Sequence, residues 1–366
     1  MNAEIGILVG TRPEIIKLAP VMQICEKNDV SYTLIHTGQH YSDSLNAVFF
    51  DQLELPTPEY NLGVGSSSHG EQTGEMIIKL EEILHEVAPD TLLVQGDTNS
   101  VLAGAVAASK LPVELGHVEA GLRSFDRQMP EETNRVIADH VSDYLFAPSE
   151  QSKQNLTTEG ISEHRITVTG NTVVDALYKY RTLSKQKSMI LKDLAIEDEM
   201  FFVLTAHRAE NVDNESRLQA LLTSVGETAA DHGVSVIYPI HPHTRNRIGE
   251  FGITVPDRIR LVEPLDYLDF VRLEAEAALI LTDSGGVQEE ACILGVPCVT
   301  LRESTERPET IEVGANELAD PVSEDLSESV DRMIQESGSW QNPFGDGHAS
   351  HRILQTVVPQ LSRGEA

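Results

Sequence analysis

Residues 4–17 read EIGILVGTRPEIIK. A short apolar run ends at Val9, a Gly-Thr turn follows, and Pro13 stands at the first position of an amphipathic stretch that continues to residue 27. This is a strand, a turn and a helix, the opening of a βα unit. The same alternation then repeats. Strands are expected at 32–36, 91–95, 113–118 and 143–147, and helices at 44–52, 71–87, 99–109 and 130–141. Strands separated by helices imply right-handed crossovers and a parallel sheet. The pattern restarts after residue 200, with strands at 201–205, 235–240, 259–262, 278–282 and 297–301. Helices are expected between them at 214–231, 244–250, 266–275 and 285–295. The chain therefore reads as two open α/β domains in series. The polar stretch 181–200 carries helix and connection, and the tail 323–366 returns to helix.

Composition limits the class of partner. The 366 residues carry 27 basic and 58 acidic side chains, a formal charge of −31. Such a chain repels nucleic-acid phosphates and anionic membranes. It has no run of 18 apolar residues, so no transmembrane helix is expected. The N-terminal MNAEIGILVG has no basic leader, so we expect no signal peptide and a cytoplasmic location. Three cysteines are too few and odd in number for a disulfide framework, and without a C-x-x-C or H-E-x-x-H motif no structural zinc is expected. Lysine is scarce, 9 against 18 arginines. Carboxylates in excess and few ammonium groups suit a cytosol of very high salt, where surface repulsion is screened.

In open α/β sheets, ligands sit beyond the carboxyl ends of the strands. The chemistry-bearing residues follow strands in both halves, which predicts a site in a cleft between two domains. Gly10-Thr11-Arg12-Pro13-Glu14, with Lys17 beyond, offers helix amides and two cations to an anion. It also fits a plain βα turn with a surface Arg. Thr282-Asp283-Ser284-Gly285-Gly286 opens a second helix; Ser284 suits the N-cap, and the two glycines admit a diphosphate. Glu290 lies further along that helix, placed to accept from ribose hydroxyls. Three carboxylates follow first-half strands: Asp97 in QGDTNS, Glu119 in GHVEAGLR and Glu131 in PEETNR. Carboxylates converging on one cleft suit proton transfer. Glu131 also fits a first-turn acid paired with Arg135 at i,i+4. His207 in AHRAEN, His241 in HPH and Arg307 in ERPE complete the set, with Arg208 beside His207.

GTRPEIIK, QGDTNS, GHVEAGLRS, PEETNR, AHRAEN, LTDSGGVQEE and ERPET occur in one order over residues 10–310. Together they resemble the non-hydrolysing UDP-N-acetylglucosamine 2-epimerases. The resemblance implies a glycosyltransferase-B-like fold of two Rossmann-like domains facing a cleft. The first would cover 1–170 and be rejoined by a C-terminal helix at 350–366; the second, nucleotide-binding domain would cover 171–349. It implies a homodimer acting on a UDP-sugar without cofactor or metal. Functional residues then fall on Arg12, Lys17, Asp97, Glu119, Glu131, Arg135, His207, His241, Phe270, Ser284, Gly285, Gly286, Glu290 and Arg307. Asp97, Glu119 and Glu131 would transfer protons and stabilise the oxocarbenium ion. His207, which the resemblance places with the catalytic residues, would hold the diphosphate with Arg12, Ser284, Gly285 and Arg307. Phe270 would lie beside uracil and Glu290 on the ribose. Two departures stand out: Leu265 where some bacterial relatives have Gln, and Glu71 where they often have Arg in a second, activating substrate site.

The implied reaction inverts C2 of UDP-GlcNAc to give UDP-ManNAc. The C2 proton is weakly acidic, so UDP is eliminated to 2-acetamidoglucal and then re-added. The alternatives are C2 epimerisation of a related UDP-diacetamido sugar, a metal-independent glycosyltransferase on the same fold, a hydrolysing epimerase and a silent nucleotide-sugar sensor. No D-x-D pair is present, and three intact carboxylates exceed what a transferase or a sensor needs.

Overall fold

The structure is a computed structural model that describes residues 4–39, 49–322, 326–335, 338, 340–358 and 361. Strands β1 (Glu4–Val9), β2 (Ser31–His36), β3 (Tyr60–Asn61), β4 (Thr91–Gln95), β5 (Glu114–Val118), β6 (Tyr144–Ala147) and β7 (Ile166–Val168) form the first sheet. Their order is β3-β2-β1-β4-β5-β6-β7, and every pairing is parallel. The second sheet contains β8 (Phe201–Thr205), β9 (Ser235–Pro239), β10 (Ile259–Val262), β11 (Leu279–Thr282), β12 (Cys298–Thr300) and β13 (Asn316–Leu318). It runs β10-β9-β8-β11-β12-β13, again all parallel.

The expected strands match in place and type, with ends shifted by a residue or two. The sequence reading missed β3, β7 and β13, which are two or three residues long. Strands that short have no period to detect. The helix Glu150–Thr158 was also missed. The helix expected at 44–52 falls partly outside the described residues; 49–52 are helical. The helix expected from 244 begins instead at Pro242, because proline suits a first helical position, where the N–H is not needed.

The chain divides into two compact units, Met1–Ala176 with Phe344–Ala366, and Leu177–Pro343. Both cuts differ by six residues from the expected 170/171 and 349/350. Hydrogen bonds explain the difference. Asn171 N–H donates to the Phe344 carbonyl at 2.8 Å. The Asp175 carboxylate accepts from the amides of Ala349 and Ser350 at 3.2 and 2.9 Å. These bonds keep the start of the helix Thr172–Lys187 with the first unit. The terminal helix Ala349–Val357 packs on the helix Arg12–Lys27 of the same unit.

In the first unit, Leu8, Ile35, Leu92 and Val94 pack against Met76, Leu80 and Leu84 of the helix His69–Val87. In the second, Leu218, Leu221, Leu222 and Val225 cover one face of the sheet from the helix Glu215–Asp231. That spacing is the apolar stripe of an amphipathic helix, and each such side chain fully buried contributes about 1.5–3 kcal/mol. The topology matters most for function. β1 lies between β2 and β4, and β8 lies between β9 and β11. The chain reverses its direction of winding at these strands, so ligand crevices open beyond their carboxyl ends. Among the described residues, no helix is long and apolar enough to cross a membrane.

Candidate active site

The first switch point carries the turns after β1 and β4. The helix Arg12–Lys27 has Thr11 as N-cap and Glu14 at the third position, a capping box. Glu14 Oε2 accepts the Gly10 and Thr11 amides at 2.5 and 2.7 Å, and Oε1 accepts the Thr98 hydroxyl at 2.5 Å. These amides were expected to face a substrate anion; the protein's own carboxylate takes them. Burial pushes the Glu14 carboxyl up to about 7, and the bonds from Thr98, Gly10 and Thr11 oppose that rise. Gly10 also serves packing, since a Cβ there would collide with the side chains of Ser100 and Thr37.

Lys17 and Arg12, the expected diphosphate cations, are engaged locally. Lys17 Nζ lies 2.6 Å from Glu119 Oε1. The Arg12 guanidinium lies 5.3 Å from the centroid of the Phe49 ring. Glu119 follows β5 in the left-handed region, at φ +68°, where a non-glycine residue is strained. Its buried carboxylate accepts from Lys17, from Gln95 and, at 2.8 Å, from Asn171. Asp97 follows β4 and pairs with Arg135 at 2.5 Å. Arg135 also binds Glu132 at 2.8 Å. The expected Arg135–Glu131 pair is thus replaced by pairs with Asp97 and Glu132. Glu132 is fixed by the Ser124 and Phe125 amides at 2.9 and 3.0 Å. Glu131 is half-buried, and its carboxylate has no hydrogen bond among the described residues.

Beneath these carboxylates lies a network that the sequence reading missed. His117 Nδ1 is 2.7 Å from Asp139 Oδ1, and Nε2 is 2.8 Å from the Gly96 carbonyl. Asp139 Oδ2 accepts from Arg123 at 2.7 Å and from the Gly121 amide at 3.1 Å. Gly121 stands at φ +81°, and a Cβ there would collide with the Ser152 backbone. Burial alone would lower the His117 pKa, but Asp139, the Gly96 carbonyl and Glu119 together raise it above the ordinary histidine value.

The second switch point carries the turns after β8 and β11. Asp283 is fully buried; its carboxylate accepts the His207 and Arg208 amides at 3.0 Å each and the Asn211 side chain at 3.1 Å. His207 Nδ1 is 3.2 Å from Asp283 Oδ1. Burial would raise the Asp283 pKa, but the bonds with His207, Arg208 and Asn211 lower it below the usual range. Ser284 is the N-cap of the helix Gly285–Leu294, as expected, but its side chain accepts no amide among the described residues; its own amide donates to the Thr282 hydroxyl at 2.9 Å. The third helical position holds Val287 rather than an acid. Gly286 is exposed, and a Cβ at Gly285 or Gly286 would meet nothing closer than 3.8 Å.

The other expected residues are placed as follows. Arg307 pairs with Glu289 at 2.6 Å, and Arg208 reaches Glu306 at 3.3 Å. Arg302 holds the Glu306 carboxyl down at about 2. His241 caps the helix Pro242–Phe251 through Nδ1, which accepts the His243 amide at 3.2 Å. Phe270 is half-buried against the apolar cluster of Val287, Ala291 and Leu273. Glu290 neighbours Glu274; burial first, and Glu290 second, raise the Glu274 carboxyl well above its ordinary value. Among the described residues, no group of three or more His, Cys, Asp or Glu is placed to hold a metal ion.

Among the missed residues, Glu14 and Asp283 had a signal. Thr11-x-x-Glu14 is a capping-box sequence, and Asp283 lies inside the quoted glycine turn. Asp139 had none, being 22 residues from the histidine it binds.

The chain resembles known proteins along most of its length. The family model described as UDP-N-acetylglucosamine 2-epimerase matches residues 22–358. The UDP-N-acetylglucosamine 2-epimerase of Methanocaldococcus jannaschii is 50% identical over 362 residues, 97% of this chain and 99% of that one. A crystal structure of the M. jannaschii enzyme in complex with UDP-GlcNAc and UDP superposes with a TM-score of 0.84 at 49% identity, covering 97% of this chain and 99% of that one. A UDP-2,3-diacetamido-2,3-dideoxy-D-glucuronate 2-epimerase of Pseudomonas aeruginosa is 38% identical over 356 residues, 96% of this chain and 98% of that one. A Rickettsia africae glycosyltransferase shares the fold, with a TM-score of 0.63 at 13% identity over 99% of this chain and all of that one. With half its residues identical over nearly the whole length, and with two parallel α/β sheets of the glycosyltransferase-B type, this chain belongs to the UDP-N-acetylglucosamine 2-epimerase family.

Proposed function

We propose that the protein interconverts UDP-GlcNAc and UDP-ManNAc by inversion at C2. The observation that carries this reading is the 50% identity to a UDP-GlcNAc 2-epimerase, sustained over 97% of the chain. The geometry supplies suitable chemistry. Glu119 and Asp97 are held in fixed positions by opposite charges, and Glu131 is a half-buried carboxylate without a hydrogen bond among the described residues. In the proposed sequence, one carboxylate takes the C2 proton as the C1–O bond to UDP breaks. UDP and 2-acetamidoglucal remain bound, UDP re-adds, and a proton reaches C2 from the opposite face. Helix amides at Gly285 and Gly286, with His207, Arg12 and Arg307, would stabilise the departing diphosphate. Lys17, Arg135 and His241 complete the polar surroundings; Glu290 would hold the ribose and Phe270 the uracil. The same reading includes a homodimer in a cytoplasm; the −31 charge bears only on the high-salt expectation, where screening offsets repulsion.

Proton NMR in D2O tests this directly. With UDP-GlcNAc alone, deuterium is expected at C2 of both UDP-GlcNAc and UDP-ManNAc, without acceptor, metal or nicotinamide. Net free sugar without UDP-ManNAc would indicate a hydrolysing enzyme. No exchange without an acceptor would indicate a transferase. Exchange confined to a UDP-diacetamido-uronate would move the substrate to that sugar.

A further inference from the structure

We infer that His117 is a positioning residue that works as a permanent imidazolium, clamping the Asp97 turn to the Glu119 turn and placing a fixed positive charge beside Glu119. The protonation state follows from its partners. Nε2 faces the Gly96 carbonyl, which can only accept, so Nε2 carries a proton. Nδ1 faces Asp139 Oδ1. Asp139 Oδ2 also receives Arg123 at 2.7 Å and the Gly121 amide, an arrangement that favours the ionised carboxylate, whose Oδ1 then accepts from Nδ1. Nδ1 is therefore protonated too. Both side chains of the His117–Asp139 pair are fully buried, and an unpaired charge there would be expensive.

The clamp reaches the reacting groups through one residue on each side. Gly96 precedes Asp97, and the Gly96 amide itself donates to the Val118 carbonyl beside Glu119. Asp139 fixes the Gly121 amide, two residues beyond Glu119. Charged groups stand on every side of this network. Asp139 comes from the helix Pro130–Val141 and Glu119 from the end of β5; Arg123, in the loop after β5, pairs with Glu159 at the end of the helix Glu150–Thr158; Lys17 of the helix Arg12–Lys27 pairs with Glu119; and Asp97, after β4, pairs with Arg135 of the helix Pro130–Val141. The ring thus sits where its charge acts on Glu119 and where its hydrogen bonds tie the Asp97 turn to the Glu119 turn. The raised pKa of His117 agrees with this geometry.

The protonation state can be read on the unmodified protein, and that measurement does not depend on the epimerase reading. In 15N–1H spectra of histidine-labelled protein, one ring among the 13 histidines should keep both N–H protons, without titrating, from pH 6 to 9. NOEs to Gly96 and Gly121 assign it. A neutral tautomer at His117 anywhere in that range would overturn the inference. Asp139→Asn should bring the same ring into titration below pH 9; a ring still doubly protonated there would show that Asp139 does not set the charge. The effect on turnover does rest on the epimerase reading, and the native enzyme's C2 exchange is measured first. His117→Gln should lower kcat about 10²-fold, the scale of a small misplacement of reacting groups, with KM within threefold. The acid limb of its kcat/KM profile should move upward by at least half a pH unit. A profile that keeps its shape and is only scaled down would mean a structural role alone.

Discussion

Two strand-to-helix turns stand at the two switch points, and they differ in what fills the third helical position. After β1, the third helical position is Glu14, and its carboxylate takes the amides of Gly10 and Thr11. After β11, the third position is Val287, the turn is Ser284-Gly285-Gly286, the Ser284 amide donates to the Thr282 hydroxyl at 2.9 Å, and no side chain among the described residues accepts from the next two amides. The first four amides of any helix need an acceptor. In the first unit Glu14 supplies an acceptor; in the second the Thr282 hydroxyl takes the Ser284 amide, and the Gly285 and Gly286 amides have no side-chain acceptor among the described residues. A glycine turn at a helix start is therefore not a phosphate site until the residue three past the cap is known. Under the proposed function, Asp97 and Glu119, held by paired charges in the first unit, would carry the chemistry, and the Gly285 and Gly286 amides of the second would meet the diphosphate.

The largest expected effect tests that division on the chemical side. Glu119→Gln preserves shape and cannot accept a proton. Turnover should fall about 10²–10⁴-fold, while UDP affinity measured by calorimetry stays within threefold. Near-native turnover would remove Glu119 from the chemistry, and a parallel loss of UDP affinity would erase the distinction between the turns.

The second prediction fills the open turn. Gly286→Asp sets a carboxylate beside the uncapped amides at an exposed position with room for a side chain. Stability should change by less than about 1 kcal/mol. The Kd for UDP should rise at least about tenfold, since the new acid both occupies the amides and repels a diphosphate. Unchanged affinity would mean that the second turn is not the nucleotide's anion site.

The third concerns the filled turn and its pH dependence. The Glu14 carboxyl is raised from 4.5 to about 7 in the folded protein. Between those values the native state keeps a proton that the unfolded chain has released, so this contribution is complete below about 4.5. It is lost as pH rises through 7, a change of about 3 kcal/mol. Glu14→Gln mimics the protonated form. Its stability relative to wild type, from denaturant unfolding at pH 5 to 8, should improve as pH rises. Parallel curves would show that Glu14 is ionised throughout.

The smallest effect concerns a third helix start. Glu71 stands at the third position of the helix His69–Val87, where it receives the Ser67 hydroxyl, and its amide donates to the Ser68 side chain at 3.4 Å. Unlike Glu14, its carboxylate accepts a hydroxyl rather than amides, but an acid at that position repels an external anion. We therefore expect the reverse reaction from UDP-ManNAc alone to start without a lag. A long lag abolished by trace UDP-GlcNAc would show that an activating site survives despite Glu71.

The sequence by itself determined the class of fold, the places of most strands, the residues that end at the strand tips and the family. Alternating apolar runs and amphipathic stretches are local, and the motifs are contiguous, so both can be read without contacts. It even contained the capping-box pattern Thr11-x-x-Glu14, which distinguishes the two turns, although a glycine and an arginine suggested a phosphate loop there. Only the tertiary structure decided which charges are already spent. Lys17 meets Glu119 across 102 residues, Arg135 leaves Glu131 for Asp97 across 38, and His117 finds Asp139 across 22. The geometry of the switch points is likewise invisible in the chain order, because β1 must sit beside β4 before their turns can meet. An ion pair is fixed by distance in space and by removal from water, and neither is written in the spacing of residues along the chain.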